Sequence, residues 1–414
     1  MSKRRVVVTG LGALTPIGNT VSAYWEGLVN GVSGAAPITR FDASKFKTQF
    51  ACEVKNFDIG DYMDKREARR MDPFCHYAVV TSDEAMADSG LTPGDYDPTR
   101  FGVVLGSGIG GLTTFQEEVR DFYKGDGTPR FNPFFIPKMI IDIAPGHVSI
   151  KYGLRGPNYS TVSACATSSN CIADAFLLIR DGLADIMLAG GSEAAVVEAG
   201  IGGFNAMKAL STRNEDPLTA SRPFDLDRDG FVLGEGGGVL VLEEYEHAKA
   251  RGAKIYCELG GVGLTADANH ITAPHPEGEG AHGVMAQCLE MAGILPSQVD
   301  YVNVHGTSTP LGDIAETKAI KRLFGEHASK LNISSTKSMT GHLLGAAGAI
   351  EAIASVLSIY HGVIPPTINH FTDDPECDLN YTFHKAVKRD VRVALSNTFG
   401  FGGHNASVVF RKLD

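Results

Sequence analysis

A cysteine with small neighbours is the most reactive candidate in this sequence. Cys165 lies in the segment VSACATSS, after a β-branched run at residues 160–163 and before apolar residues at helical spacing. The sequence therefore predicts a strand followed by a helix, with Cys165 in the first turn of the helix. The unpaired N–H groups and the dipole of a helix N-terminus favour a thiolate, so we expect a nucleophile. The alternative is a buried, inert thiol.

Two histidines and a glycine-rich turn follow other predicted strands. His305 ends the segment YVNVHG, and His342 lies at the strand-to-helix junction STKSMTGH. Active sites of open α/β sheets collect at the carboxyl ends of strands, so we expect both histidines to approach Cys165. Neutral imidazoles can donate hydrogen bonds to a carbonyl or enolate oxygen, and the N–H groups of Cys165 and Phe401 can form an oxyanion hole. The alternative for each histidine is a structural hydrogen bond.

A lysine accompanies these groups. Lys337 lies among small residues in SSTKSMTGH, where a charged side chain needs a carboxylate partner if it is buried. Glu351, on the predicted helix that follows, is the natural partner. The alternative is an ordinary surface lysine.

Composition restricts the class of protein. The chain has 414 residues and a net charge of −11, which argues against nucleic-acid binding. Its seven cysteines are scattered without a CxxC pair, which argues against a disulfide framework and a zinc site and fits a reducing cytosol. No signal region and no run approaching ~20 apolar residues is apparent. We expect a cytoplasmic protein without membrane insertion.

The order of predicted elements indicates an α/β fold with an internal duplication. Strands alternate with helices, as in a sheet covered on both faces. Residues 299–312 repeat the pattern of residues 100–112, and residues 333–360 repeat that of residues 160–182. We therefore predict two halves, 1–250 and 251–414, packed as one body.

Four segments together carry a resemblance to a known family. VSACATSS, HGTSTPLGD, SSTKSMTGHLLGAAGA and SNTFGFGGHN, in this order, resemble the β-ketoacyl-acyl-carrier-protein synthases of the thiolase superfamily. The similarity spans essentially the whole chain and is greatest to the elongating, type II members. It implies the duplicated thiolase fold, a five-layered αβαβα arrangement with two mixed sheets, and a homodimer.

The resemblance also implies a reaction. Cys165 would take an acyl chain from acyl carrier protein as a thioester, and malonyl-acyl carrier protein would lose carbon dioxide. His305 and His342 would stabilise the resulting enolate, which would attack the acyl-enzyme and elongate a fatty acid by two carbons. Lys337 paired with Glu351 would hold the site together electrostatically. No organic cofactor would be needed.

Further residues receive roles from the resemblance alone. Glu316 would support the site, and the Phe401 loop would gate entry. The substrate-binding set would be Ile109 and Phe204 at the acyl chain, Thr272, Thr307 and Thr309 at the pantetheine arm, and Phe399. No metal would be required, although a monovalent cation would suit the oxygen atoms of Asn303, Glu351, Ser396 and Asn397. The basic candidates for docking the acidic carrier protein are Lys65, Arg69, Arg70, Arg130 and Lys208.

Other functions remain open at this point. A polyketide synthase condensing subunit would share the Cys-His-His set, and the sequence separates it poorly. A thiolase would need a second reactive cysteine near the C-terminal glycine turn. SNTFGFGGHN contains none, and the nearest upstream, Cys377, lies in an acidic loop. A type III synthase would have asparagine in place of His342.

Overall fold

The structure is a computed structural model that describes residues 3–413. Its strands are β1 (Val6–Leu14), β2 (Ala36–Pro37), β3 (Phe50–Ala51), β4 (Phe101–Gly106), β5 (Asn158–Tyr159), β6 (Ile186–Glu193), β7 (Gly236–Glu244), β8 (Cys257–Ala266), β9 (Tyr301–Asn303), β10 (Asn332–Ser334), β11 (Val363–Ile364), β12 (Val387–Lys388), β13 (Val393–Gly400) and β14 (His404–Arg411).

The helices alternate with these strands over most of the chain. They are α1 (Val21–Val29), α2 (Lys65–Ala68), α3 (Pro73–Ser89), α4 (Leu112–Lys124), α5 (Phe135–Met139), α6 (Ile143–Tyr152), α7 (Thr167–Arg180), α8 (Glu198–Ala206), α9 (Tyr245–Ala250), α10 (Glu279–Ala292), α11 (Pro310–Phe324), α12 (Lys337–Thr340) and α13 (Ala347–His361).

Ten strands form a mixed sheet system in the order β10-β9-β13-β14-β8-β1-β7-β6-β4-β5. The first five strands in this order (β10, β9, β13, β14 and β8) come from the C-terminal part of the chain, and the other five come from the N-terminal part. These two mixed sheets are joined through β1 and β8, which pair only over Val6–Val8 and Cys257–Leu259. The prediction of an internal duplication with a boundary near residue 250 stays a prediction.

Helices α7 and α13 lie between the two sheets and pack against both, while α3 and α6 cover the outer face of the first sheet and α10 that of the second. This is the five-layered arrangement that the sequence predicts. The segment Leu344–His361 is apolar and long enough to cross a membrane, but 89% of it is buried inside the protein. An all-round apolar helix of this kind belongs to a protein core. It lies where the strand-to-helix pattern of residues 333–360 predicts a helix.

Local structure differs from the prediction just before Cys165. The strand expected at residues 160–163 is absent there, and β5 ends at Tyr159. The Ser160 hydroxyl donates to the Leu105 carbonyl at 2.6 Å, and the Ser163 N–H donates to the Thr167 hydroxyl at 2.9 Å. These side-chain bonds replace ladder bonds, as serine and threonine commonly do.

The same turn recurs in both halves. Ala164 has a positive φ of 52° and opens a 3₁₀ turn over Ala164–Ala166 that leads into α7. Leu344 has a positive φ of 47° and opens the turn Leu344–Ala346 that leads into α13. Non-glycine residues rarely adopt this left-handed conformation. The two strained turns meet at the centre of the molecule, where they form the floor of the candidate site.

Candidate active site

A cavity of about 560 Å³ opens where the strand ends of the two halves converge. Its lining includes Cys165, His305, His342 and the glycine turn at Phe401. Lys337 and Glu351 do not line it; they are buried behind the histidines. The fold therefore brings together residues that lie up to 236 positions apart in the sequence.

The nucleophile candidate lies just before the helix rather than in its first turn. Cys165 is the middle residue of the 3₁₀ turn, and α7 begins at Thr167. Burial raises the pKa of the Cys165 thiol to about 12, although the charge of Lys337 and the N–H of Phe401 act in the opposite direction. The expectation of a resting thiolate is therefore wrong, because desolvation of the anion outweighs the favourable groups around it.

A backbone donor faces the cysteine sulfur from the C-terminal half. The N–H of Phe401 is directed at the Cys165 thiol. Gly400 permits this approach, since a Cβ there would lie 2.6 Å from the Ser163 carbonyl oxygen and 3.2 Å from the Cys165 nitrogen. Cys165 and Phe401, the predicted oxyanion-hole residues, are thus neighbours in the structure.

The turn beyond Phe401 depends on two glycines. Gly402 and Gly403 have φ values of +88° and +75°, which favour glycine strongly. The Gly402 N–H donates to the carbonyl of Ile271 at 2.7 Å, and that of Gly403 donates to Gly400 at 3.1 Å. Two hydrogen bonds therefore hold the loop that carries Phe401 over the cavity.

The two histidine rings form a T-shaped pair. Their centroids are 5.3 Å apart and their planes are at 87°. Burial and the nearby charge of Lys337 hold the pKa of both His305 and His342 well below the ordinary value. Both rings are therefore neutral at pH 7, and each carries one N–H. Neutral donors side by side suit an oxygen on which negative charge develops.

Two buried carboxylates support this pair. Glu316 accepts hydrogen bonds from the N–H groups of His305 at 3.0 Å and Gly306 at 2.9 Å. Burial raises the pKa of Glu316 to about 7. Lys337 pairs with Glu351, as predicted from their types and spacing, and both side chains are at most 2% exposed. Burial also raises the pKa of Glu351, and the ammonium of Lys337 opposes that effect.

The residues assigned to substrate binding all line the cavity. These are Ile109, Phe204, Thr272, Thr307, Thr309 and Phe399. The hydroxyls of Thr307 and Thr309 are hydrogen-bonded to each other at 3.0 Å. The Phe399 ring lies 5.6 Å from that of His305. The cavity thus presents threonine hydroxyls and apolar side chains as well as Cys165.

Three further residues at or beneath the cavity wall were not predicted from the sequence. Phe231 and Leu344 line the cavity, and Glu193 lies buried beneath its wall. The Phe231 ring packs on His342 at 5.2 Å. Glu193 is the last residue of the buried strand β6. A carboxylate at the end of an otherwise apolar strand was the sequence feature that could have identified it as a residue near the site.

Oxygen atoms without partners occur at the predicted cation position. The side-chain amide atoms of Asn303, Oε2 of Glu351 and Oγ of Ser396 are buried with no hydrogen-bond partner. Asn303 and Ser396 are paired residues on β9 and β13. Asn397 differs, since its oxygen accepts from Ser407 and its nitrogen donates to Glu316. Three of the four residues therefore have an unpaired side-chain oxygen, whereas the oxygen of Asn397 is already hydrogen-bonded; the cation site stays a prediction. Within residues 3–413 no cluster of three His, Cys, Asp or Glu side chains suits a metal ion.

The other cysteines are structural. All seven are buried and free, and Cys165 alone of them lines the cavity. Cys377 contacts the Thr317 hydroxyl at 3.7 Å away from the glycine turn. A second reactive cysteine of the thiolase kind is therefore missing from this cavity among the residues that the structure describes.

Comparison with known proteins agrees with this arrangement. Residues 3–248 match the family "Beta-ketoacyl synthase, N-terminal domain", and residues 256–371 match "Beta-ketoacyl synthase, C-terminal domain". The chain is 52% identical over 412 residues to the 3-oxoacyl-[acyl-carrier-protein] synthase 2 of Synechocystis, covering 100% of this chain and 99% of the relative. It is 53% identical over 411 residues to the enzyme of that name from Staphylococcus aureus N315, covering 99% of each.

Solved structures show the same fold. A type II polyketide ketosynthase, in complex with its acyl-carrier protein and bound to the hexaketide, matches with a TM-score of 0.92 at 38% identity over 100% of both chains. A β-ketoacyl synthase from Burkholderia phymatum matches with a TM-score of 0.91 at 35% identity over 99% of this chain and 100% of the other. The fold is that of the thiolase-type ketosynthases. With both family domains matched in order along the sequence, the chain belongs to the β-ketoacyl synthase family.

Proposed function

We propose that this protein catalyses the decarboxylative condensation of malonyl-acyl carrier protein with an acyl chain held on Cys165. The observation that carries the proposal is the convergence of a cysteine, two neutral histidines and the Phe401 N–H on one cavity. Relatives above 50% identity are named for this reaction. The product is a β-ketoacyl chain two carbons longer, as in fatty acid elongation.

The first step is thioester exchange. The sulfur of Cys165 attacks the carbonyl of the acyl-carrier thioester, and the pantetheine sulfur leaves with the proton of the cysteine thiol. The N–H groups of Cys165 and Phe401 hold the oxyanion of the tetrahedral intermediate; one such donor contributes about 10²–10³ in rate. Because the resting thiol is neutral, its proton has to leave during the attack rather than before it.

The second and third steps use the histidines. The malonyl carboxylate leaves as carbon dioxide, and the electron pair of the broken C–C bond forms an enolate. Neutral His305 and His342 donate to the enolate oxygen. Burial and the charge of Lys337 behind them keep the two imidazoles neutral. The enolate carbon then attacks the acyl-Cys165 carbonyl, and the sulfur leaves as a thiolate that takes a proton from solvent.

A basic surface supports the choice of an acidic carrier protein as partner. Lys65, Arg69 and Arg70 are exposed on and after α2, and Lys208 is exposed at the cavity itself. On a chain of net charge −11, such a cluster attracts an acidic protein selectively. Arg130 is exposed as well, next to Asp126.

The homodimer is part of the same proposal. The edge strand β5 has unpaired backbone groups and exposed side chains at the end of the sheet. Phe131 and Phe134, before α5, are about 40% exposed. Pairing of this edge with a second copy would bury both features. A cytoplasmic location is proposed from the seven free cysteines.

A bound monovalent cation would suit the oxygen atoms of Asn303, Glu351 and Ser396. It would supply positive charge beside the two buried carboxylates of the site. No step of the reaction depends on it.

Mass spectrometry tests the proposal. The protein is incubated with a C12–C16 acyl-acyl carrier protein and compared with two variants, Cys165→Ala and the matched control Cys171→Ala, whose cysteine is buried outside the cavity. We expect an acyl mass on wild type and Cys171→Ala only, and a β-ketoacyl product after malonyl-acyl carrier protein is added. Absence of any adduct would refute the condensing function. Repeated extension of one chain without reduction would favour the polyketide alternative.

A further inference from the structure

A buried carboxylate joins two walls of the cavity that come from different halves of the chain. Glu193, at the end of β6, is fully buried. Its Oε1 accepts from the Ser107 hydroxyl at 2.8 Å and from the Ile109 N–H at 3.1 Å. Its Oε2 accepts from the Gly108 N–H at 2.7 Å and the Gly345 N–H at 2.9 Å. One side chain thus satisfies four donors.

These donors belong to two turns whose residues line the cavity. Gly108 and Ile109 form the turn after β4 and line the cavity from the N-terminal half. Gly345 is the central residue of the turn after His342, and its neighbour Leu344 lines the cavity from the C-terminal half. Glu193 is therefore the hydrogen-bonded link between the two walls.

The Ile109 turn depends on this link more than the Leu344 turn does, because Leu344 is packed in a buried core cluster. The Ile109 side chain is 40% exposed and takes no part in a core cluster of the described residues. Packing at the junction leaves no room for adjustment, since a Cβ at Gly108 would lie 2.8 Å from Glu193 Oε2 and 3.3 Å from the Gly345 nitrogen. The backbone of the Ile109 turn thus owes its position to the carboxylate.

We propose that Glu193 is a positioning residue that determines acyl-chain-length selectivity by clamping the Ile109 wall against the Leu344 wall. The inference rests on the proposed function. Ile109 and Leu344 line the same cavity as Cys165, so a long acyl chain on the sulfur has more surface to place against these walls than a short one. Loosening the clamp therefore weakens the binding of long chains more than that of short chains.

The variant Glu193→Gln tests this directly. A glutamine has the same shape but only one oxygen, so two of the four donors lose their acceptor whichever way the amide is turned. We measure kcat and KM for acyl transfer to Cys165 from four-carbon and fourteen-carbon acyl carrier proteins. The expected result is a fall of about tenfold in the ratio of kcat/KM for the long chain to that for the short chain, mostly through KM.

Two further variants keep the test decisive if Glu193→Gln does not fold. Ser107→Ala removes one of the four donors, and we expect a shift of the ratio in the same direction, about two- to threefold. Glu258→Gln is the matched control, because Glu258 is a buried carboxylate that pairs with Arg5 and Arg411 outside the cavity. Its ratio should equal that of wild type.

Equal losses for both chain lengths, or an equal shift in Glu258→Gln, would overturn the role of Glu193. An unchanged ratio in folded Glu193→Gln, or in Ser107→Ala where the first variant does not fold, would overturn it as well. These outcomes are distinct from failure of the proposed function, in which wild-type protein accepts neither chain.

Discussion

Replacing Lys337 by methionine should destabilise the protein and shift its pH profile. Lys337 is 1% exposed and Glu351 is fully buried, so the variant leaves a carboxylate in the core without its cation. Breaking a buried ion pair in this way costs about 3–5 kcal/mol. At about 2.1 cal/mol/K per residue, unfolding of this chain has an entropy near 0.9 kcal/mol/K. The melting temperature should therefore fall by about 3–6 °C.

The charge of Lys337 also acts on the reacting groups. It lowers the pKa of His305, His342 and the Cys165 thiol. Its removal should raise the pKa of both histidines. The condensation requires both histidines to be neutral. The acid limb of its pH–rate profile should therefore move to higher pH when their pKa rises. Calorimetry and a pH series of kcat/KM with malonyl-acyl carrier protein measure the two effects separately.

Two controls separate charge loss from disruption. Lys321→Met removes a lysine paired with Asp378 on the surface, where both side chains are about half exposed, and should change stability by less than about 0.5 kcal/mol. The double variant Lys337→Met/Glu351→Leu removes both charges and should regain stability but not activity. The expected fall in melting temperature for Lys337→Met is about 3–6 °C. A melting temperature of Lys337→Met within about 1 °C of wild type would therefore refute the reasoning.

Two other predictions follow from the geometry around the sulfur. Because the folded thiol has a pKa of about 12, the rate of Cys165 alkylation by iodoacetamide should rise with pH from 7 to 10 without levelling; a plateau between pH 6 and 8, measured by mass spectrometry with Cys165→Ala as the blank, would contradict this. Gly400→Ala should lower acyl transfer by about 10²–10³ because the new Cβ displaces the oxyanion donors. The control Gly203→Ala has open space around its Cβ and should remain active; equal activity of the two variants in a single-turnover assay would argue against the oxyanion hole.

Sequence reasoning located the reactive residues because each stands in a short local pattern. His305 follows an apolar strand, and Lys337 lies among small residues with Glu351 one helix further on. The long helix α3 (Pro73–Ser89) is bounded by residues typical of helix ends, with Asp72 and Pro73 at its start and Gly90 after its last residue. Such signals depend only on nearby residues.

Errors arose where distant groups decide. The thiolate was expected from a helix start at Cys165, but the backbone N–H of Ser163 donates to the Thr167 hydroxyl and α7 begins only at Thr167. Desolvation by the other half of the chain then raises the thiol pKa. This desolvation is not visible in the segment VSACATSS alone.

What the sequence by itself determined is the inventory: an α/β chain, one nucleophilic cysteine, two histidines, a lysine with its carboxylate, and a glycine turn. Local propensities and residue chemistry suffice for this. Only the tertiary structure decided that Glu193 links the walls and that Lys337 lies behind the histidines. Only it decided that the histidines are neutral and the thiol protonated. The physical reason is that pKa values and buried hydrogen bonds depend on burial and on charges brought close by folding, and those distances are set by strand order rather than by spacing along the chain.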